Sequence, residues 1–137
     1  MSVWTVALAC VSCTKDDATL SDSTLVGKWM AVELKVEYLQ DGKVLGSETD
    51  NCVNYSRLFQ FNADGTGQDI EKEGNSSQTY AIKSWVLMGD ELILTYENYD
   101  NENYKASYDS GYLYLVLTQV DEESNLTYRL TYKFEKK

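Results

Sequence analysis

The sequence predicts an all-β domain: an antiparallel, up-and-down meander of about eight strands closed into a barrel. Three observations carry this. From Leu25 onward, apolar and polar residues alternate with a period of two, in runs separated by Gly, Asp and Asn. No helical stripe of apolar residues appears anywhere. The chain has no proline, as expected where nearly every strand pairs on both sides. Closing such a meander removes its exposed edges. A β-sandwich is the alternative architecture. Its immunoglobulin form lacks support, because no Cys…Trp…Cys framework exists.

The elements follow in order. Lys28 to Leu39 places Met30, Val32, Leu34, Val36 and Tyr38 on one face, with Glu33, Lys35 and Glu37 on the other. On this parity Trp29 lies opposite Met30 and need not face the main core. Asp41-Gly42 is a tight turn, and Lys43 to Ser47 a short return strand. Tyr55 to Phe61 aligns Phe59 with Phe61, and Ala63-Asp64-Gly65 turns the chain. Thr66 to Glu73 has only Ile70 as a strong apolar residue, so it reads as an exposed strand. Ser77 to Met88 changes parity between Ile82 and Trp85, which predicts a bulge. After Gly89-Asp90, Glu91 to Glu97 buries Leu92, Leu94 and Tyr96. Residues 98–110 are polar, acidic and tyrosine-rich, and read as a long loop. Tyr112 to Val120 aligns Leu113, Leu115 and Leu117. Asp121 to Asn125 turns. Leu126 to Phe134 then alternates Leu126, Tyr128, Leu130, Tyr132 and Phe134 with polar residues.

Composition narrows the function. The 137 residues make one domain and carry a formal charge of −10. Residues 62–124 hold 13 acidic and 3 basic residues, whereas residues 126–137 hold 1 acidic and 4 basic. Nucleic acid is not an expected partner, since backbone binding needs a basic patch. The chain has no histidine, which removes Ser-His-Asp and Cys-His nucleophiles and the common zinc sites. No catalytic residue, metal site or cofactor is expected. The carboxylates fall on turns and outward strand positions, as solvated surface does. Asp64-Gly65-Thr66-Gly67 and Asp100-Asn101-Glu102 offer oxygen ligands but no complete calcium loop.

The N-terminus reads as an address. Residues 1–12 contain no charge, are too short to span a membrane, and fit the apolar part of a secretory signal. The basic end of such a signal is missing, as if the start codon were assigned too late. Val11-Ser12-Cys13 followed by Lys15-Asp16-Asp17 resembles a bacterial lipobox with the acidic export signal of Bacteroidota surface lipoproteins. The resemblance implies cleavage before Cys13 and acylation of its sulfur, with Cys10 as the competing site. Residues 13–24 would then form the lipidated cysteine and a polar tether, and residues 25–137 the barrel. Asp22-Ser23-Thr24 resembles the O-glycosylation site of exported proteins in that group. Cys52 is left without a histidine to activate it, and reads as a small buried hydrophobe; were Cys13 not acylated, the two could form a disulfide.

Three further motifs line up. Gly27-Lys28-Trp29 opens the first strand. Phe61-Asn62-Ala63-Asp64-Gly65-Thr66 and Trp85 to Leu94 (WVLMGDELIL) form two hairpins. Their order and spacing resemble the lipocalin-like domain lipoproteins of Bacteroidota over residues 24–136. That resemblance implies a small barrel, anchored to outer-membrane lipid at the cell surface, monomeric, that binds a small hydrophobic or amphipathic molecule. It also implies that Gly27 and Trp29 close one end, beneath a basic residue of the last strand, for which Arg129 is the candidate through a cation–π contact. If the barrel keeps a cavity, Tyr38, Phe61, Tyr80, Trp85, Tyr96 and Tyr128 line it. The alternative is a filled barrel that recognises glycan or protein through Tyr99, Tyr104 and Tyr108 of the 98–110 loop.

Overall fold

A computed structural model describes residues 20–137. The signal segment 1–12, Cys10, Cys13 and most of the tether lie outside the described residues. The described residues open with a one-turn helix, α1 (Asp22–Leu25), with Ser21 as its N-cap. Nine strands follow: β1 (Gly27–Gln40), β2 (Lys43–Asp50), β3 (Tyr55–Phe61), β4 (Gly67–Glu73), β5 (Ser76–Met88), β6 (Glu91–Tyr96), β7 (Glu102–Asp109), β8 (Tyr112–Asp121) and β9 (Leu126–Lys136). All neighbouring pairs are antiparallel.

Eight strands close a barrel in the order β1-β3-β4-β5-β6-β7-β8-β9, and β9 returns to β1. Among the described residues the extra strand, β2, pairs only with β1. The length of β1 makes this possible. Gly27–Met30 pair with β3, while Leu34–Gln40 pair with β2, and the opposite edge of β1 runs along β9. The upper halves of β1 and β9, with β2 and β8, therefore rise beyond the mouth as a four-stranded wall. The β1–β2 hairpin turns at Asp41-Gly42, both at positive φ (52° and 81°), the geometry that matches strand twist.

Two bulges set the inward pattern. In the pairing of β9 with β1, Lys133 faces Glu33 and Phe134 faces Ala31, so Val32 is the extra residue. The bulge moves Trp29 and Ala31 onto the inward side together with Leu34, Val36 and Tyr38. It also corrects the simple alternation, because Met30 and Val32 lie outside and Trp29 is fully buried. The parity change in β5 is present, as a register shift between Ile82 and Ser84. The segment expected to be a loop is a strand over most of its length. β7 pairs with β6 and β8, which its alternating Tyr104, Ala106 and Tyr108 permit.

The interior is layered. Phe59, Phe61, Phe134, Leu92, Leu94, Leu113 and Leu115 fill the lower barrel, all at 1% exposure or less. Phe59 lies 5.4 Å from Phe61 and 5.3 Å from Phe134, centroid to centroid. Above this apolar layer sits a polar one, formed by the inward residues of β3, β4, β6 and β7.

Candidate functional site

The closed end is built around Trp29. Its indole N–H donates to the Leu25 carbonyl at 2.9 Å, which ties β1 to α1. The edge of Tyr108 meets its ring at 6.1 Å. A cation does cover Trp29, but it is Lys136, whose Nζ lies 4.9 Å from the ring centroid. That ammonium also donates to the carbonyls of Thr24 (3.0 Å) and Val26 (2.8 Å), capping the turn before β1. Gly27 makes the approach possible. At φ +132° it has no Cβ, and one placed there would stand 2.8 Å from Lys136 Cε.

The pairing of Trp29 with Arg129 is therefore corrected. Antiparallel register puts Lys136 opposite Trp29 and Arg129 opposite Glu37, far up the wall. Arg129 also has the outward parity of β9. It forms a two-pronged pair with Glu37, at 2.9 and 3.1 Å, which holds the Glu37 carboxyl below its usual range.

The open end carries the polar layer. Arg57 is 5% exposed and Asp69 is 1% exposed. The guanidinium grips Asp69 with two hydrogen bonds, Nε to Oδ1 at 3.1 Å and Nη2 to Oδ2 at 2.8 Å. Its faces are covered by aromatic rings, with Cζ 4.7 Å from Phe59 and 5.1 Å from Tyr132. Nη2 also reaches Glu102 Oε1 at 3.2 Å, and Nε lies 3.9 Å from Glu71 Oε2. Burial is the largest single influence and would pull Arg57 down, but the hydrogen bonds to Asp69 together with the charges around it outweigh burial and keep the guanidinium charged.

Tyrosine hydroxyls complete the layer. Tyr96 donates to Asp69 (2.7 Å) or Glu102 (3.1 Å), Tyr104 to Glu102 (2.7 Å), and Tyr55 to Glu71 (3.0 Å). Burial pushes the phenols of Tyr55, Tyr96 and Tyr104 well above the ordinary tyrosine range. Near neutral pH they are donors, and they satisfy the carboxylates that Arg57 alone cannot. Glu102 is asymmetric: Oε1 is within reach of Arg57, Tyr96 and Tyr104, whereas Oε2 has no partner among the described residues.

Over this floor lies a hollow of about 210 Å³, bounded by Glu71, Tyr80, Tyr99, Asp100 and Glu102. The edge of Tyr80 meets Tyr99 at 5.1 Å, and Tyr99 is 62% exposed. A second hollow, of about 540 Å³, runs along the inner face of the wall, past Leu34, Val36, Tyr38 and the carboxylates Glu48 and Asp50. Tyr132, buried between them, faces Leu34 in register and lies under Arg57.

No model of a known protein family matches this chain, and no curated protein matches it. The assignment of residues therefore rests on the geometry above.

The six residues expected around a cavity separate into two groups. Tyr80 and Tyr96 border the smaller hollow, and Tyr38 borders the larger. Tyr128 stands edge-on to Tyr38 at 5.5 Å on the same wall. Phe61 and Trp85 are elsewhere. They pack against each other at 5.5 Å in the lower core, with the Trp85 indole N–H donating to the Asn62 carbonyl at 3.0 Å.

The expected recognition loop is corrected too. Tyr104 is fully buried and Tyr108 packs on Trp29, because strand alternation turns both inward. Of that group only Tyr99 stands at the surface. Asp69, Glu71 and Glu102 correct the expectation that the carboxylates fall on turns and outward positions, and neither Arg57 nor its pairing with Asp69 was expected. Arg57 could have been found from its step with Phe59 and Phe61, and Asp69 from the small Gly67 two residues earlier.

Cys52 is buried and free among the described residues, and burial raises its thiol. Among the described residues, no three acidic, His or Cys side chains are placed to hold a metal ion.

Proposed function

We propose that this chain is a non-enzymatic binding barrel that takes a small amphipathic molecule at its open end. The observation that carries the reading is the layering. The lower interior is filled by Phe, Leu and Trp side chains, so room for a ligand exists above the Arg57–Asp69 floor. There a polar group would meet carboxylates and tyrosine rings, and an apolar portion would lie along Leu34 and Val36. Rings, carboxylates and a short apolar strip suit an amphipathic ligand better than a purely hydrophobic one.

The barrel is anchored through acylated Cys13 to the outer membrane, facing outward, and works as a monomer. The lipobox-like Val11-Ser12-Cys13 and the acidic residues after it support this placement. Acyl chains add about 0.8 kcal/mol per buried CH₂, enough to hold a folded domain at a surface. The lack of histidine supports a role without proton transfer near neutral pH.

Native mass spectrometry of the protein purified from its own cells tests both halves. The expected spectrum shows the acyl mass on the N-terminal peptide and a retained small molecule that dissociates on activation. A protein with neither mass would contradict the reading. Undiminished palmitate incorporation after Cys13→Ala would contradict the anchor alone.

A further inference from the structure

Resting on the binding reading above, we infer that the ligand's polar group is an organic cation, an ammonium seated between Tyr80, Tyr99 and the carboxylates of Glu71 and Glu102. The first ground is charge. The smaller hollow is lined by one cation, Arg57, and four carboxylates, Asp69, Glu71, Asp100 and Glu102. Arg57 is already committed to Asp69 by both prongs. The hollow therefore holds an excess of negative charge in a place that water only partly reaches.

The second ground is the supply of hydrogen-bond donors. The hydroxyls of Tyr55, Tyr96 and Tyr104 are spent on carboxylates of the floor, and that of Tyr80 on Gln78 Oε1. Glu102 keeps Oε2 without a partner, and its side chain is 30% exposed toward the mouth. The donors left over on this lining are Arg57 Nη1 and the Tyr99 hydroxyl; the oxygens of four carboxylates outnumber them, and an anion would meet repulsion from that excess.

The third ground is independent of charge. Tyr99 stands on the β6–β7 connection with its ring exposed, braced edge-on by Tyr80 at the rim of the same hollow. Tyrosine faces attract alkylammonium groups through the ring quadrupole, and desolvation strengthens the attraction. A concave site walled by rings and carboxylates is the recognised chemistry for such a group. The apolar strip at Leu34 and Val36, across the strand pair from Tyr132, would take its hydrocarbon portion.

The test compares three probes with the same eight-carbon tail by titration calorimetry: octyltrimethylammonium, octyl glucoside and octyl sulfate, each below micelle formation. The expected order is ammonium, then glucoside, then sulfate, with the ammonium about tenfold tighter than the glucoside. Tyr99→Ala and Glu102→Gln should each weaken the ammonium about tenfold. Glu122→Gln, on the exposed β8–β9 turn, should leave it unchanged.

Tyr99 is exposed, so its variant keeps the test decisive should Glu102→Gln perturb folding, which far-UV circular dichroism would reveal. Equal binding of ammonium and glucoside would overturn the cation assignment and leave the mouth-binding reading standing. An equal loss with Glu122→Gln would overturn the site, marking a general attraction to an acidic protein. Failure of every probe to bind would overturn both readings.

Discussion

Arg57 and Asp69 are two charges taken almost wholly out of water, and each is tolerable only because of the other. Removing one partner of such a pair costs about 3–5 kcal/mol, because the survivor stays buried without compensation. Asp69→Ala should therefore lower the urea-unfolding free energy by about that amount. The double variant Arg57→Met with Asp69→Leu should recover most of it, since apolar replacement of a buried pair is often close to neutral. A single variant as stable as wild type would show that water reaches the pair. Gly27 makes a different residue-scale case. Gly27→Ala places a methyl 2.8 Å from Lys136 Cε at φ +132°, outside the comfortable range of L-residues. It should cost about 1–3 kcal/mol in the same assay, and Lys136→Ala should relieve only the contact and leave the backbone strain.

Among the elements, every strand but β7 was legible, and strand facing was only partly so. Hairpin turns and alternation located β3, β6 and β9 to within a residue or two. Two failures, of facing in β1 and of strand recognition in β7, have one cause each. In β1, the extra residue Val32 reverses parity, and a bulge with no glycine leaves no mark in composition. In β7, the string Glu-Asn-Tyr-Lys-Ala-Ser-Tyr-Asp looks polar because its inward positions are tyrosine and alanine, not leucine. The closing cation was legible in principle: Lys136 continues the inward series Tyr132, Phe134 of β9, whereas Arg129 does not.

The arm formed by β2 carries the element-scale prediction. Every residue of β2 is exposed, and its outer edge has no neighbouring strand among the described residues. Amide hydrogen exchange should show Val44–Asp50 exchanging through local opening, much faster than Phe59, Leu113 and Leu115 in the closed ring. Protection of β2 equal to the ring would mean that a further contact covers this edge.

For the molecule as a whole, the polar layer links stability to pH. Tyr55, Tyr96, Tyr104 and Tyr132 have phenols raised above the ordinary value of 10.0 in the folded state, chiefly by burial. In the unfolded chain they lose protons near pH 10, so above that pH the native state binds more protons than the unfolded one. Their contribution is thus fully present below about pH 10 and declines as pH rises beyond it. Urea midpoints should hold from neutral pH to about pH 10 and then fall, with the tyrosinate absorbance of these four appearing only on unfolding. Full titration of all tyrosines in the folded protein would place this layer in open solvent.

On the proposed function, the barrel's lower core is filled and its ligand sits at the mouth, on the Arg57–Asp69 floor. The most direct measurement is backbone amide chemical-shift mapping during titration with octyltrimethylammonium. Saturable shifts are expected at Tyr80, Tyr96, Tyr99 and Glu102, extending to Leu34 and Val36, while Trp29, Phe61, Leu92 and Leu113 stay still. Shifts centred on Trp29, Phe61 and Trp85 would place the ligand inside the lower barrel and contradict the proposal.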